Sequence, residues 1–160
     1  MITLGIGIYF WFFGIEAKII EKNFNELTFI KIDETETKDG FVKSGLYRDN
    51  IKNNHVRVVI SVTNSRDKAK DKIEDIIDEV VVNHKFDKEE KIINKNNVIW
   101  TEEYRDNEKG LETIIFWRSG KNVISLNEYL REATQNTEGY TNLGSKELLN
   151  MYLKKYPSDL

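Results

Sequence analysis

The sequence contains no cysteine, and this absence excludes several kinds of chemistry at once. Disulfide bonds, thiolate metal sites, cysteine nucleophiles and a lipid-modified N-terminal cysteine all require that residue. Proline is nearly absent as well. The single proline, Pro157, lies beyond the last helical pattern, so no predicted helix or strand is interrupted by one.

An excess of positive charge is also missing. The chain carries 24 basic and 27 acidic side chains, with a net charge of -3, and both signs are mixed along most of its length. Proteins that bind nucleic acid present a basic face or stripe. The composition therefore predicts no nucleic-acid partner.

Residues that bind metals are few. His55 and His84 are the only histidines, and neither has a second histidine at helical ligand spacing. The acidic stretch at residues 33–39 does not fit a calcium-binding loop, because Thr35 and Thr37 occupy ligand positions. We therefore predict no metal-binding, cofactor-binding or catalytic residues.

The most distinctive feature that is present is the apolar segment MITLGIGIYFWFFGI, residues 1–15, which has no charge. As a helix it would extend about 22 Å, against a hydrocarbon core of roughly 30 Å. Tyr9 and Trp11 suit a membrane interface. We interpret residues 1–22 as a truncated signal anchor that lacks its basic start, and we expect a membrane-anchored protein facing outside the cytoplasm.

A second interpretation of this segment stays open. Residues 5–13 are rich in β-branched and aromatic side chains, which favour a buried strand of a soluble, cytoplasmic domain. Strands of about five or six residues are the norm, and this run is longer. The length favours the anchor.

Residues 23–160 are predicted to form a single α+β domain. Alternating apolar residues predict strands at 27–37 and 55–63, and Asp39-Gly40 predicts the hairpin that leads into a strand at 41–48. An apolar stripe at helical spacing predicts a helix over residues 65–80. Asn83 to Asn97 shows no clear period and is predicted to be a loop.

The second half of the domain is predicted to contain two hairpins and a final helix. Strands are expected at VIWTEEY, LETIIFWR and VISL, followed by a short helix at residues 127–135. Ser145 is predicted to cap the last helix, which Pro157 stops. The fold class is therefore an antiparallel sheet, a meander plus hairpins, packed against two main helices.

Two adjacent aromatic residues in the second half of the domain require packing partners on both faces of the sheet. Phe116 and Trp117 must point to opposite faces of a regular strand. One of them therefore requires cover beyond the main core of the sheet. The last helix, a partner or a ligand would provide it.

Two further groups of residues deserve a chemical interpretation. Glu102, Glu103 and Glu112 flank one hairpin, and paired carboxylates carry out glycoside hydrolysis when they are about 5 to 10 Å apart. This hydrolase is the weakest of the functional hypotheses, because exposed acids commonly protect strands from association. The turn at residues 118–122 is predicted to be a hairpin connection, with an anion-binding nest as the alternative.

The succession VRVVISVTNSRDKAKDKIEDII, VIWTEEY, TIIFWRSGKNVISL and LLNMYLKKYP resembles small exported lipoprotein-like α+β domains of prokaryotes, whose architecture is PsbP-like. The resemblance covers roughly residues 55 to 156. It implies a location outside the cytoplasmic membrane more than any chemistry, since such proteins often have no assigned activity. The apolar N-terminus and the absence of a catalytic constellation favour a non-enzymatic domain that binds a protein or a small ligand. The lipid-carrying cysteine of such proteins is missing here, and the apolar N-terminus would substitute for it.

Overall fold

A computed structural model of the chain describes residues 20–21, 27–49, 54–83, 86–105, 110–131 and 145–160. These residues form one seven-stranded antiparallel sheet with two α-helices. The strands are β1 (Leu27–Thr37), β2 (Gly40–Asp49), β3 (His55–Thr63), β4 (Asp87–Ile93), β5 (Asn96–Arg105), β6 (Gly110–Ser119) and β7 (Asn122–Arg131). The helices are α1 (Arg66–Ile77), which continues as a π-helical segment (Asp78–Asn83), and α2 (Lys146–Lys155). The predicted α+β class is confirmed.

The strand order β1-β2-β3-β7-β6-β5-β4 shows how the two halves of the chain meet. The first three strands form the predicted meander, and α1 then carries the chain to the far edge of the sheet. The last four strands return strand by strand until β7 pairs with β3 at the centre. The sheet therefore joins the two halves through the central pair β3 and β7.

Each face of the sheet is covered by one helix. Trp117 lies on the face under α2 and donates its indole N–H to the carbonyl oxygen of Tyr156 at 2.7 Å. Phe116 lies on the opposite face, where Ala69 and Ile73 of α1 pack against it. Both aromatic side chains are fully buried. The two helices thus bury this pair, with α1 packing on Phe116 and α2 packing on Trp117.

The two helices begin in different ways. Ser65 caps α1 as predicted, because its Oγ accepts a hydrogen bond from the amide of Lys68 at 3.1 Å. Ser145 stands at the N-cap position of α2 but makes no cap hydrogen bond with its side chain. Its Oγ instead donates to the buried carboxylate of Glu128, on β7, at 2.9 Å. A negative side chain from the sheet thus lies at the positive end of the helix dipole.

The prediction of a loop at Asn83 to Asn97 was wrong, because β4 occupies Asp87–Ile93. Its sequence DKEEKII shows little apolar alternation, since the strand is at the edge of the sheet and most of its side chains are exposed. Charged residues of this kind protect an edge strand from pairing with other chains.

The short helix predicted at residues 127–135 was also wrong over its first five residues, since β7 runs on to Arg131. Residues 132–135 lie outside the described residues. Leu130 pairs with Leu111 of β6, and the ring of Tyr129 lies over Gly110, where an added Cβ would be 2.2 Å from the tyrosine hydroxyl. Pairing with neighbouring strands thus overrides the local helical tendency of NEYLR.

A bulge in β1 changes which side chains share a face of the sheet, compared with a regular strand. Phe29 pairs with Tyr47 and Ile32 pairs with Gly45, with the register shifting at Ile30 between them. Phe29 and Ile32 therefore share a face instead of lying on opposite faces. One extra residue in a strand has this effect because side chains alternate with a period of two.

The N-terminal segment at residues 1–15 lies outside the described residues, and so does the strand proposed for residues 5–13. The division of the chain at residues 1–22 and 23–160 stays a prediction for the same reason. In the part of the chain that the structure describes, no helix has the length and apolar character needed to cross a membrane.

Candidate functional site

Residues Ile20 and Glu21, which follow the apolar segment closely in sequence, dock onto the domain. The side chain of Ile20 is buried and lies over Gly45 of β2. A Cβ atom at Gly45 would be only 2.6 Å from Cγ2 of Ile20, so the glycine leaves the space that the isoleucine fills. We call the receiving residues the tether clamp: Gly45, Tyr47, Tyr152 and Lys155.

Two tyrosine hydroxyls hold the backbone of Glu21. Tyr47 donates its hydroxyl hydrogen to the carbonyl oxygen of Glu21. The amide of Glu21 donates to the hydroxyl of Tyr152 at 3.1 Å. Lys155 adds an ion pair, with its Nζ 3.5 Å from the Glu21 carboxylate. Both backbone groups of Glu21 thus have partners on the domain.

The clamp works by hydrogen bonding between neutral groups. Burial raises the pKa values of Tyr47 and Tyr152 above the ordinary tyrosine value, and burial also raises that of Tyr156 to about 12. The first two hydroxyls lie 3.3 Å apart, so an ionised one would also repel the electrons of its neighbour. All three phenols are therefore protonated at neutral pH.

The local packing explains why these tyrosines meet. Tyr47 lies on the face of β2 under α2, and Phe29 packs edge-on against its ring at a centroid distance of 5.6 Å. Tyr152 is on the apolar side of α2 and is stacked on Tyr156 at 6.4 Å. Tyrosines suit this position because their rings join the core while their hydroxyls reach a polar partner.

A groove of about 280 Å³ lies between α1 and the β1–β2 hairpin, on the other face of the sheet. We call it the helix–hairpin groove. Val42, Ser61 and Thr63 contribute to its floor. Its charged side chains are Lys38 and Asp39 from the hairpin turn, and Lys68, Asp71, Lys72 and Asp75 from the helix.

Most charged side chains of the helix–hairpin groove form no ion pair with another described residue. Lys68 and Asp39 approach each other to 4.0 Å, which connects the helix to the hairpin turn. Among the described residues, the other four charged groups make no ion pair. One edge of the polar side of α1 faces this groove.

The floor of the groove holds two hydroxyls in different states. The Oγ1 atom of Thr63 is 2.7 Å from the carbonyl oxygen of Ser65 and 2.8 Å from that of Lys121, so its hydrogen is used within the fold. Ser61 is only 6% exposed, and its hydroxyl bonds to none of the residues that the structure describes. This hydroxyl is available to a molecule in the groove.

The three glutamates of the hydrolase hypothesis are not brought to one site. Glu102 lies on the face of the sheet under α2 and accepts a hydrogen bond from the indole of Trp100 at 2.6 Å. Glu103 and Glu112 are cross-strand neighbours on the opposite face. All three are partly exposed, and none lines the helix–hairpin groove.

The histidines and the acidic stretch, which are the candidate metal ligands, do not come together at one site. His55 is exposed at the first position of β3, whereas His84 lies outside the described residues. The acidic stretch at residues 33–39 is on β1 and its turn. Within the described ranges, no three histidine or carboxylate side chains are placed to share a metal ion.

The turn at residues 118–122 is a hairpin connection that also binds an anion, the side chain of Asp159. Arg118 contacts one carboxylate oxygen at 2.8 Å, and the amide of Gly120 donates to the other at 3.0 Å. Burial alone would raise the pKa of Asp159, but the Arg118 and Gly120 hydrogen bonds more than offset it and lower this pKa. The anion in this nest belongs to the chain itself.

Comparisons with known proteins give no further direction. No protein-family model, no curated protein and no solved structure matches this chain.

Proposed function

We propose that this protein is a membrane-anchored, non-enzymatic binding domain that works outside the cytoplasm, with residues 1–15 as its anchor. The observation that carries the proposal is the tether clamp. It is a built receptor for Ile20 and Glu21, which stand immediately after the apolar segment and its short polar connection.

The clamp limits how far the domain can lie from the anchor. Five residue steps separate positions 15 and 20, and a fully extended chain covers at most about 3.6 Å per residue. The clamp is therefore within roughly 18 Å of the end of the apolar segment, whatever path the connection takes. A docked connection of this length would keep the domain close to the membrane surface.

The binding half of the proposal rests on the helix–hairpin groove. It offers charges of both signs and a free hydroxyl above a partly apolar floor. Small-ligand sites combine such a concave shape with a few convergent polar groups. The resemblance to exported lipoprotein-like domains supports the same location.

Fractionation of cells that produce the full chain tests the proposal. We expect the protein in the membrane fraction, with the domain accessible to protease added from outside the cytoplasmic membrane. Recovery of the full chain in the cytoplasmic fraction would overturn the proposed location. A chain without residues 1–15 serves as the control, and we expect it to leave the membrane fraction.

A further inference from the structure

We propose that the domain lies on anionic phospholipid headgroups through one corner of its sheet, where β1 begins. We call this corner the basic edge: Ile30, Lys31, Ile32, Arg48 and Arg57. The inference deepens the membrane location proposed above and rests on it. It adds the orientation of the domain and the chemistry of the surface that the domain contacts.

Strand pairing brings the cations of the basic edge together. Lys31 pairs with Leu46 of β2, and Leu46 pairs in turn with Arg57 of β3. Arg48 is two residues along β2 from Leu46, so its side chain lies on the same face, diagonal to Arg57 at about 7 to 8 Å. Both arginines are exposed. Three cationic side chains therefore surround one half-buried leucine.

The acidic side chains at this corner do not cancel the two arginines. Asp33 is paired with Lys31 at 2.7 Å, and the Glu21 carboxylate belongs to the ion pair of the tether clamp. Asp49, the neighbour of Arg48 in sequence, is buried. The charge that this corner presents to its surroundings is therefore positive.

Two apolar side chains of the basic edge are exposed on the edge strand itself. Ile30 is 45% exposed and Ile32 is 36% exposed. The other exposed large apolar side chains of the described residues, Val82, Ile92 and Leu160, are far apart in sequence. Apolar residues on an open strand edge invite association unless something covers them. Apolar side chains bordered by basic ones are typical of surfaces that lie in a membrane interface.

The character of β1 changes along its length. Residues 27–32 contain no acidic side chain, whereas residues 33–39 contain four. An anionic lipid surface attracts basic side chains and repels acidic ones. The start of β1 therefore faces the headgroups, and the β1–β2 hairpin points away from the bilayer.

The tether clamp places the basic edge beside the proposed anchor. Ile32 pairs with Gly45, the residue over which Ile20 lies. The connection from position 15 to position 20 covers at most roughly 18 Å. The end of the apolar segment is thus always close to this corner, and the surface nearest to it is the bilayer that holds the anchor.

Fluorescence quenching on the full chain tests this inference, because a chain without cysteine accepts a single label at a chosen site. Thr28→Cys labels the start of β1 beside Arg48, and Glu36→Cys labels the same strand roughly 25 Å away. Both positions are exposed. The protein is reconstituted into vesicles that contain a lipid with a nitroxide on its headgroup, which quenches a label close to the membrane surface.

The comparison is between phosphatidylcholine vesicles and vesicles with about 30% phosphatidylserine. We expect quenching at position 28 to be at least about twofold stronger in the anionic vesicles, and quenching at position 36 to be weak in both. Equal quenching at the two positions, or equal quenching at position 28 in the two lipids, would overturn the inference.

Matched charge variants locate the contact. Arg48→Gln combined with Arg57→Gln should abolish the gain from phosphatidylserine at position 28, because each basic side chain near an anionic surface strengthens the attraction roughly fivefold. Lys68→Gln combined with Lys70→Gln removes the same charge from exposed sites on α1 and should leave the gain unchanged. Thermal unfolding confirms that each variant is folded. Equal losses in the two double variants would place the contact elsewhere and overturn the inference.

Flotation of the same vesicle samples reports on the anchor separately. Protein that floats without enhanced quenching at position 28 would overturn the docked orientation and leave the anchor standing. Protein that floats with neither lipid would overturn the anchor, and this inference with it.

Discussion

The hydroxyl oxygens of Tyr47 and Tyr152 lie 3.3 Å apart, and between them they bind the carbonyl and the amide of one residue, Glu21. Tyr47 belongs to the sheet and Tyr152 to α2, so the chain entering the domain is fixed to both layers at once. This arrangement fixes the backbone of Glu21 to the rigid core.

Removing either hydroxyl should destabilise the domain. Tyr47→Phe leaves the Glu21 carbonyl without its donor, and Tyr152→Phe leaves the Glu21 amide without its acceptor. We expect each change to lower the free energy of unfolding by about 1 kcal/mol, measured by urea denaturation. The double variant should lose less than the sum, because both hydroxyls serve the same residue.

Tyr156→Phe is the matched control for these two changes. It removes a hydroxyl from the ring that stacks on Tyr152 at the C-cap of α2, and that hydroxyl makes no hydrogen bond within the described residues. We expect its effect to stay within about 0.5 kcal/mol. Equal losses for all three variants would mean that the clamp contributes nothing specific.

Gly45→Ala should displace Ile20 from the clamp. The new methyl group would be 2.6 Å from Ile20 Cγ2, and overpacking of this kind typically costs about 1 to 3 kcal/mol. Combining it with Ile20→Ala, which removes the clashing atom, should cost less than the two single changes added together. Urea denaturation of the four proteins measures the coupling, and strict additivity would argue against contact between these residues.

Alkaline pH should weaken the fold through the buried tyrosines. Their pKa values are raised in the folded protein, so the unfolded chain loses these protons first as the pH rises above about 10. The stabilisation is complete below that pH and declines above it, by about 1.4 kcal/mol per pH unit for each tyrosine that stays protonated. For Tyr156 the decline ends near its folded pKa of about 12.

Comparing wild type with Tyr47→Phe isolates this effect from the titration of lysines. We expect unfolding free energies between pH 9 and pH 11.5 to fall less steeply in the variant, because one protonated phenol has been removed. Parallel pH profiles would show that Tyr47 is not protected from ionisation in the folded state.

Asp159 should titrate below its ordinary value of about 3.9. Its contribution to stability is present above that pH and is lost as the pH falls through the lowered pKa of the folded state. Arg118→Ala should raise the pKa of Asp159, as followed by NMR titration, whereas the exposed Arg57→Ala should not. If the pKa of Asp159 is unchanged in Arg118→Ala, the guanidinium of Arg118 is not the cause of the lowered pKa.

The parts of the fold that were predictable are those with strong local periodicity. The alternation of Val56, Val58 and Ile60 specified β3, and the stripe containing Ala69 and Ile73 specified α1. The charged edge strand β4 and the end of β7 were missed. Their strand structure comes from pairing with neighbours distant in sequence, which no local pattern records.

The candidate sites were less predictable than the fold. The contact of Tyr152 with Tyr47, which lies 105 residues earlier, has no local signal in the sequence. The periodicity of α1 identifies its polar side, yet it cannot show that the β1–β2 hairpin stands opposite Lys68 and leaves a groove. Only the packing of distant elements reveals either site.

Flotation of the purified protein with phospholipid vesicles tests the proposed anchor most directly. We expect the full chain to float with the vesicles, and the chain without residues 1–15 to stay at the bottom of the gradient while keeping the circular dichroism of a folded domain. If the shortened chain unfolds, or if the full chain stays at the bottom as well, residues 1–15 belong to the protein interior and the anchor does not exist.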